Sequence, residues 1–479
     1  MRPTFLALCS VAMLVGGVLF LISAYSGSTP AEDMVLSYRV RAVPQQGFEV
    51  ELTVHGMVGD RPYLRMLSGW GLVQDQPGHV VGHEAWDDYG PLPMTRENDS
   101  EESYWQLERK PEGDLHVRYR VKNQPAEIAP HASFTGRDHM LLLGYSLFLL
   151  PGEIDHFAPL SATVSVELPE RWNTWSSWPH ESQVFAPSTA HELWSLVIAG
   201  GNYRPAQLAS GRVDATVLTE GQGNSTLGLH ILNRLFPVLR EMETLFGAPP
   251  KGDQLRVLAV FRELPVQGTK SILMGTSETG SFLCLATPDR YRTPDDLTAL
   301  AVHECLHFYL GGAVTASPEP PFRNAPEMAW LMEGVVESVA FRLMERAGVL
   351  SPDQARAITQ DKLQKLTRSP RTQGMSLAEA ARAMDDLELY TLVYNRGYLF
   401  ARLLEEHMDR TCGDGSFDTF LRRLFEEQGV AATQRAVTNK SVAKLLDEVC
   451  PGSFALVEDY AFTGRALPAL ANEPAHAAP

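Results

Sequence analysis

The sequence predicts an α+β multidomain protein in which an N-terminal antiparallel β domain precedes a mostly helical domain. Three observations carry this. A chain of 479 residues is longer than one hydrophobic core usually holds and suits two or three domains. From residue 35 to about 225, apolar and polar residues alternate with the period of a half-buried strand. Beyond residue 225 the apolar spacing becomes that of an amphipathic helix. Composition agrees with a globular chain, at 44% hydrophobic and 21% charged. The formal net charge of −17, without any Lys/Arg-rich run, argues against nucleic acid as a partner.

The first residues read as an export segment rather than as part of the fold. Arg2 is a short basic start, and Phe5 to Tyr25 is apolar or small without a charge. Ala24-Tyr25-Ser26 offers a cleavage site, so residues 1–26 would be a signal peptide. If retained, the run 5–25 is about long enough to anchor the chain in a bilayer. Cys9 lies too early in that run to suit lipidation. Either way the body of the protein is expected outside the cytoplasm, periplasmic or secreted.

Residues 35–225 form the expected β domain. Alternation is plain in Phe48, Val50, Leu52 and Val54, in Leu115, Val117, Tyr119 and Val121, and in Ala162, Val164, Val166 and Leu168. A sandwich or saddle follows. Residues 226–465 form the expected helical domain. Its first helix spans about 227–247, with Pro237 expected to kink or end it. LRVLAVF, 255–261, reads as a buried strand. The next helix starts with Thr293 as N-cap, Pro294 and two aspartates, and runs to about 310. Further helices are expected at 327–348, after Ser351-Pro352, after Ser376, and over 387–408, 416–428 and 440–449. The tail 466–479 reads as unstructured.

Within the second of these helices lies HECLH, 303–307. Residues turn by about 100° each, so positions four apart share a face. His303 and His307 can then hold one zinc ion, with Glu304 placed to take the proton of an attacking water. Zinc needs a third protein ligand and an open position. WLMEGVVE on the following helix offers Glu333, 26 positions after His307. Glu337, one turn later on the same face, could accept a hydrogen bond from a ligand histidine, or could be a solvated helix glutamate. Tyr394, in YNRG, is a candidate donor to a developing oxyanion, although a helix tyrosine is also a common core residue.

HECLH, then WLMEG, then YNRG resembles the gluzincin metallopeptidases, and especially the glycyl aminopeptidase family with its HExxH, W-x-x-EG and Y-x-x-G pattern. The ending FALVEDYAFTGRALP and the order of β domain before helical domain are similar too. The resemblance implies a thermolysin-like catalytic domain, one zinc per chain held by His303, His307 and Glu333, Glu304 as general base, and Tyr394 at the oxyanion. It implies a peptide substrate.

There are departures. The Trp-Asn and basic run expected after the second histidine are replaced by FYLGGAVTASPEPP. The strand ahead of the zinc helix reads GTSETG, where Glu278 matches a family glutamate and Thr279 replaces a histidine. A glutamate there could hold a substrate's free ammonium, which would make the enzyme an aminopeptidase. The family's frequent C-terminal PDZ module has no counterpart before residue 479. The same departures motivate a second reading: a catalytically degenerate homologue kept as an extracytoplasmic peptide-binding or scaffold protein.

Cys412 and Cys450 flank a helical stretch near the C-terminus and are the preferred disulfide pair. Cys284 and Cys305 could be buried small residues or a second bridge. The absence of any C-x-x-C pair argues against a cysteine metal site. No G-x-S-x-G elbow or phosphate-binding loop is present.

Overall fold

A computed structural model describes residues 34–68, 75–98, 102–123, 132–152, 154, 159–178, 183–220, 225–249, 252–263, 273–278, 280–287, 294–312, 326–368, 374–383, 386–428 and 437–467. The export segment, its cleavage site and all but the first two residues of the tail lie outside this set, as does the Thr293 cap. Among the described residues, no helix is long and apolar enough to cross a membrane.

The first half is β-rich. Its largest sheet has seven strands and centres on Val35–Val43, Gly47–His55 and Leu115–Lys122. These three pair antiparallel in the order given, while Val35–Val43 also pairs in parallel with Ser161–Glu167. The alternation seen in the sequence sorts the two faces. Tyr38, Val40, Val50, Leu52, Val117 and Tyr119 are buried, while Arg39, Arg41, Glu49, Glu51 and Arg118 form ion pairs on the exposed face. Two four-stranded sheets close the other side of this core.

A mixed five-stranded sheet joins the halves. Its order is Arg204–Ser210, Val213–Thr219, Leu255–Glu263, Ser281–Ala286 and, at the edge, Leu273–Glu278. The span 35–225 therefore supplies strands to both halves, because the hairpin 204–219 belongs to this sheet. Leu255–Glu263 is buried on both faces. Val257, Ala259 and Phe261 face the helical core, whereas Leu258 and Val260 face the β core. That double burial explains the unbroken apolar run in its sequence.

Helices build a second core on the other face of the sheet. They are α1 (Ser225–Phe246), α2 (Pro294–His307), α3 (Val336–Arg346), α4 (Pro352–Arg368), α5 (Leu387–Cys412), α6 (Ser416–Gln428) and α7 (Asn439–Val449), together with shorter turns. Pro237 neither kinks α1 into two nor ends it. Pro237 and Asn233, whose carbonyl it leaves without a helical donor, are both exposed, so water can serve that carbonyl. The span expected as one helix at 327–348 is instead a short 3₁₀ turn, a π-helical turn Trp330–Val335 and then α3.

Two tethers hold the C-terminal part. A disulfide joins Cys412 to Cys450, while Cys284 and Cys305 are buried free thiols. Arg396, buried on α5, donates to the carbonyls of Met375, Tyr460 and Arg465, which pins the 453–465 segment to the helix.

Candidate metal centre

Helix α2 starts as its sequence directs, with Pro294 in the first turn beside Asp295 and Asp296. It ends at His307 and continues as a π turn, Phe308–Gly312. The i, i+4 spacing puts the two rings together, with His303 Nε2 and His307 Nε2 3.0 Å apart. A second π turn, Trp330–Val335, brings Glu333 to them. Trp330 fixes that turn, since its buried indole N–H donates to Asn439 Oδ1 at 3.0 Å. Glu333 Oε2 then lies 3.5 Å from His303 Nε2 and 3.9 Å from His307 Nε2.

These three residues fit a zinc ion. Ligand bonds of about 2.1 Å in a tetrahedron put neighbouring donor atoms roughly 3.4 Å apart, close to the separations found. Glu333 Oε2 is buried and has no hydrogen-bond partner, an expensive state for a carboxylate oxygen unless a cation meets it. Two imidazoles and one carboxylate are also a known donor set for hydrolytic zinc. Among the described residues this is the one group of three such side chains whose ligand atoms converge.

The ring orientation is set from behind. Glu337 Oε2 lies 2.9 Å from His303 Nδ1, leaving Nε2 turned toward His307 and Glu333. The other oxygen of Glu337 accepts from Lys362 Nζ at 2.7 Å. Burial alone would raise the Glu337 carboxyl, but Lys362 and His303 hold it down to about 2. Burial works against a charged His303, yet its carboxylate neighbours Glu333 and Glu337 raise it to about 10. Burial and the neighbouring His303 push His307 down to about 4.

Glu304 is buried on the side of α2 that faces the edge strand Leu273–Glu278. It packs so closely on Gly275 that a Cβ there would lie 2.2 Å from Glu304 Oε1. Ser277, two residues along the same strand, hydrogen-bonds to Glu304. Burial, reinforced by Glu333, pushes the Glu304 carboxyl up to about 8 against the opposing pull of His303. Glu278 ends this strand and pairs with Ser281, but its side chain lies outside the described set.

Tyr394 stands over the histidines, with its ring 5.7 Å from that of His303. Its hydroxyl hydrogen-bonds with Tyr390 and Glu333, and burial raises its pKa well above the ordinary tyrosine value. Tyr390 lies one turn earlier on α5, ring to ring at 4.7 Å. The structure thus brings His303, Glu304, His307, Glu333, Glu337 and Tyr394 into one site. Sequence reasoning missed Tyr390 and Lys362, and it gave no role of their own to Gly275 and Ser277 within the GTSETG strand. Tyr390 left a signal in its i, i+4 relation to Tyr394, whereas Lys362 left none.

No family profile matches the chain, and no curated protein matches it in sequence. Solved structures do match in fold. An aminopeptidase N family protein from Idiomarina loihiensis superposes with a TM-score of 0.76 at 16% identity, over 91% of this chain and 77% of that one. An M1 zinc metallopeptidase from Deinococcus radiodurans gives 0.55 at 16% identity, over 90% and 94%. Leukotriene A4 hydrolase from Saccharomyces cerevisiae gives 0.56 at 13% identity, over 91% and 68%. The chain shares the fold of the M1 zinc metallopeptidases. The likeness is one of fold, and the narrower glycyl aminopeptidase resemblance stays with the sequence motifs.

Proposed function

We propose that this chain is an exported zinc metallopeptidase that hydrolyses peptide bonds, with aminopeptidase preference. The observation that carries the reading is the convergence of His303 Nε2, His307 Nε2 and Glu333 Oε2 beside the buried Glu304 carboxylate. The shared M1 fold supports it, and so does a relative in that fold: a mutant of the Deinococcus radiodurans metallopeptidase is solved with a Tyr-Ser-Ala substrate. The apolar run 5–25 and the disulfide support export.

His303, His307 and Glu333 would hold one zinc per chain. When bound, zinc supplies a Lewis acid for the scissile carbonyl and lowers the pKa of a water. Glu304, held against Gly275 by Ser277, takes the proton of the attacking water and later delivers it to the leaving amine. The Tyr394 hydroxyl donates to the oxyanion. Glu337 keeps His303 in its productive orientation. The edge strand Leu273–Glu278 would pair with the substrate backbone, and Glu278 at its end would take the free ammonium.

Glu304→Gln tests the mechanism. The variant is expected to keep its zinc and to lose at least about a hundredfold in turnover of small peptides. Retained turnover would remove Glu304 as the base. A wild type that binds zinc and peptides but cuts none would favour the degenerate-homologue reading instead. Comparing free with N-acetylated peptides tests the exopeptidase preference: acetylation should abolish cleavage, and equal rates would make the enzyme an endopeptidase.

A further inference from the structure

Helix α4 is a polar surface helix, and among its described residues only Lys362 is buried, at 8% exposure. Its ammonium reaches between two aromatic rings, 5.4 Å from the centroid of Phe341 and 5.1 Å from that of Tyr398. There it meets Glu337 Oε1 at 2.7 Å. The second oxygen of Glu337 faces His303 Nδ1 at 2.9 Å. An ammonium, a carboxylate and an imidazole therefore stand in line, and the line ends on the ring nitrogen that faces His307 and Glu333.

Stability does not account for this arrangement. Desolvating a lysine and a glutamate costs about what their attraction returns, so replacing both of them by packed apolar side chains would serve the fold as well. What the ammonium does specifically is occupy one carboxylate oxygen. Glu337 is then kept from turning, and its other oxygen stays on His303. Without Lys362, nothing would hold that oxygen, and the Glu337 carboxylate could swing away from His303. That movement frees His303 Nδ1, and the ring can then rotate or carry its proton on Nε2, the nitrogen a metal needs bare.

We propose that Lys362 is a positioning residue for the metal site, locking Glu337 and through it the tautomer and orientation of His303. The proposal rests on the zinc reading above. It is tested on the full-length chain stripped of metal, by titrating zinc against a competing chelator. Lys362→Met, which fills the aromatic slot without charge, is expected to weaken zinc binding about 10- to 100-fold. Lys362→Arg should recover most of that loss. The decisive comparison is made in a Glu337→Gln background, where Lys362→Met should change zinc affinity less than about twofold, because the link it acts through is already cut. A merely structural lysine would give the same loss in both backgrounds, and that result would overturn the proposal. So would a folded Lys362→Met that binds zinc like wild type. Lys362→Gln, uncharged but still a donor, serves the same comparison if the methionine variant does not fold. A wild type that takes up no zinc removes the metal reading and this role together. Undiminished binding in Lys362→Met removes this role alone.

Discussion

Gly334 and Gly397 meet backbone to backbone. A Cβ on Gly334 would lie 2.7 Å from the Cα of Gly397, and one on Gly397 would lie 2.6 Å from the Cα of Gly334. Gly334 follows the ligand Glu333, and Gly397 lies three residues after Tyr394. Their contact is what lets the π turn and α5 approach closely enough for the Tyr394 hydroxyl to reach Glu333. The glycines of WLMEG and YNRG are thus packing residues that set the distance between two chemical ones.

Gly397→Ala should therefore part the two elements. Overpacking against backbone costs about 1–3 kcal/mol, read as a lower denaturant midpoint. Zinc binding should weaken as well, because Glu333 moves with its turn. A variant with wild-type stability and zinc affinity would show that the contact does not set the site.

Tyr394→Phe should retain zinc and fall about 10²- to 10³-fold in kcat, with KM little changed, because the lost donor acts on the oxyanion and not on bound substrate. Tyr390→Phe should cost less, since Tyr390 hydrogen-bonds to Tyr394 and touches the reaction only through it. Steady-state kinetics on a small peptide separates the two; equal losses would assign the oxyanion contact differently.

The junction between the halves should respond to pH. His139 Nε2 lies 2.7 Å from Glu220 Oε1, which also accepts from Arg262 at 3.2 Å. Burial lowers the His139 pKa, but Glu220 and then Asp138 outweigh it and raise it above the ordinary value near 6.5. A raised folded-state pKa means that the stabilisation is fully present below about pH 6.5 and is lost as pH rises through the folded value. Thermal unfolding should show Tm falling as pH rises above about 6.5, and the fall should shrink in His139→Asn. An unchanged slope in the variant would place the dependence elsewhere.

The disulfide closes a loop of 38 positions between the end of α5 and the end of α7. Cys412→Ser should lower stability by about 2–4 kcal/mol. Adding reductant to wild type should do the same, while leaving the variant unaffected. Cys284 and Cys305, both buried, should resist alkylation in the native state and react once the protein is denatured.

Local pattern alone determined a good deal here. Period-two alternation in 48–54 and 115–121, the proline and aspartates that open α2, and the apolar spacing of α5 depend on residues a few positions apart, so they can be read without a fold. The spacing of His303 and His307 is likewise a property of one helix. Glu333 and Tyr394 were legible because each sits in a short motif, and the glycine in each motif now has a physical reason. The tertiary structure alone decided the rest. Gly275 matters because an edge strand lies against Glu304, and the hairpin 204–219 belongs with the second half because its partner strand begins at Leu255. Lys362 looks in sequence like any charge on a polar helix. Its burial depends on Phe341, Tyr398 and Glu337, residues brought to it from two other helices, and no local pattern records contacts made across such distances in the chain.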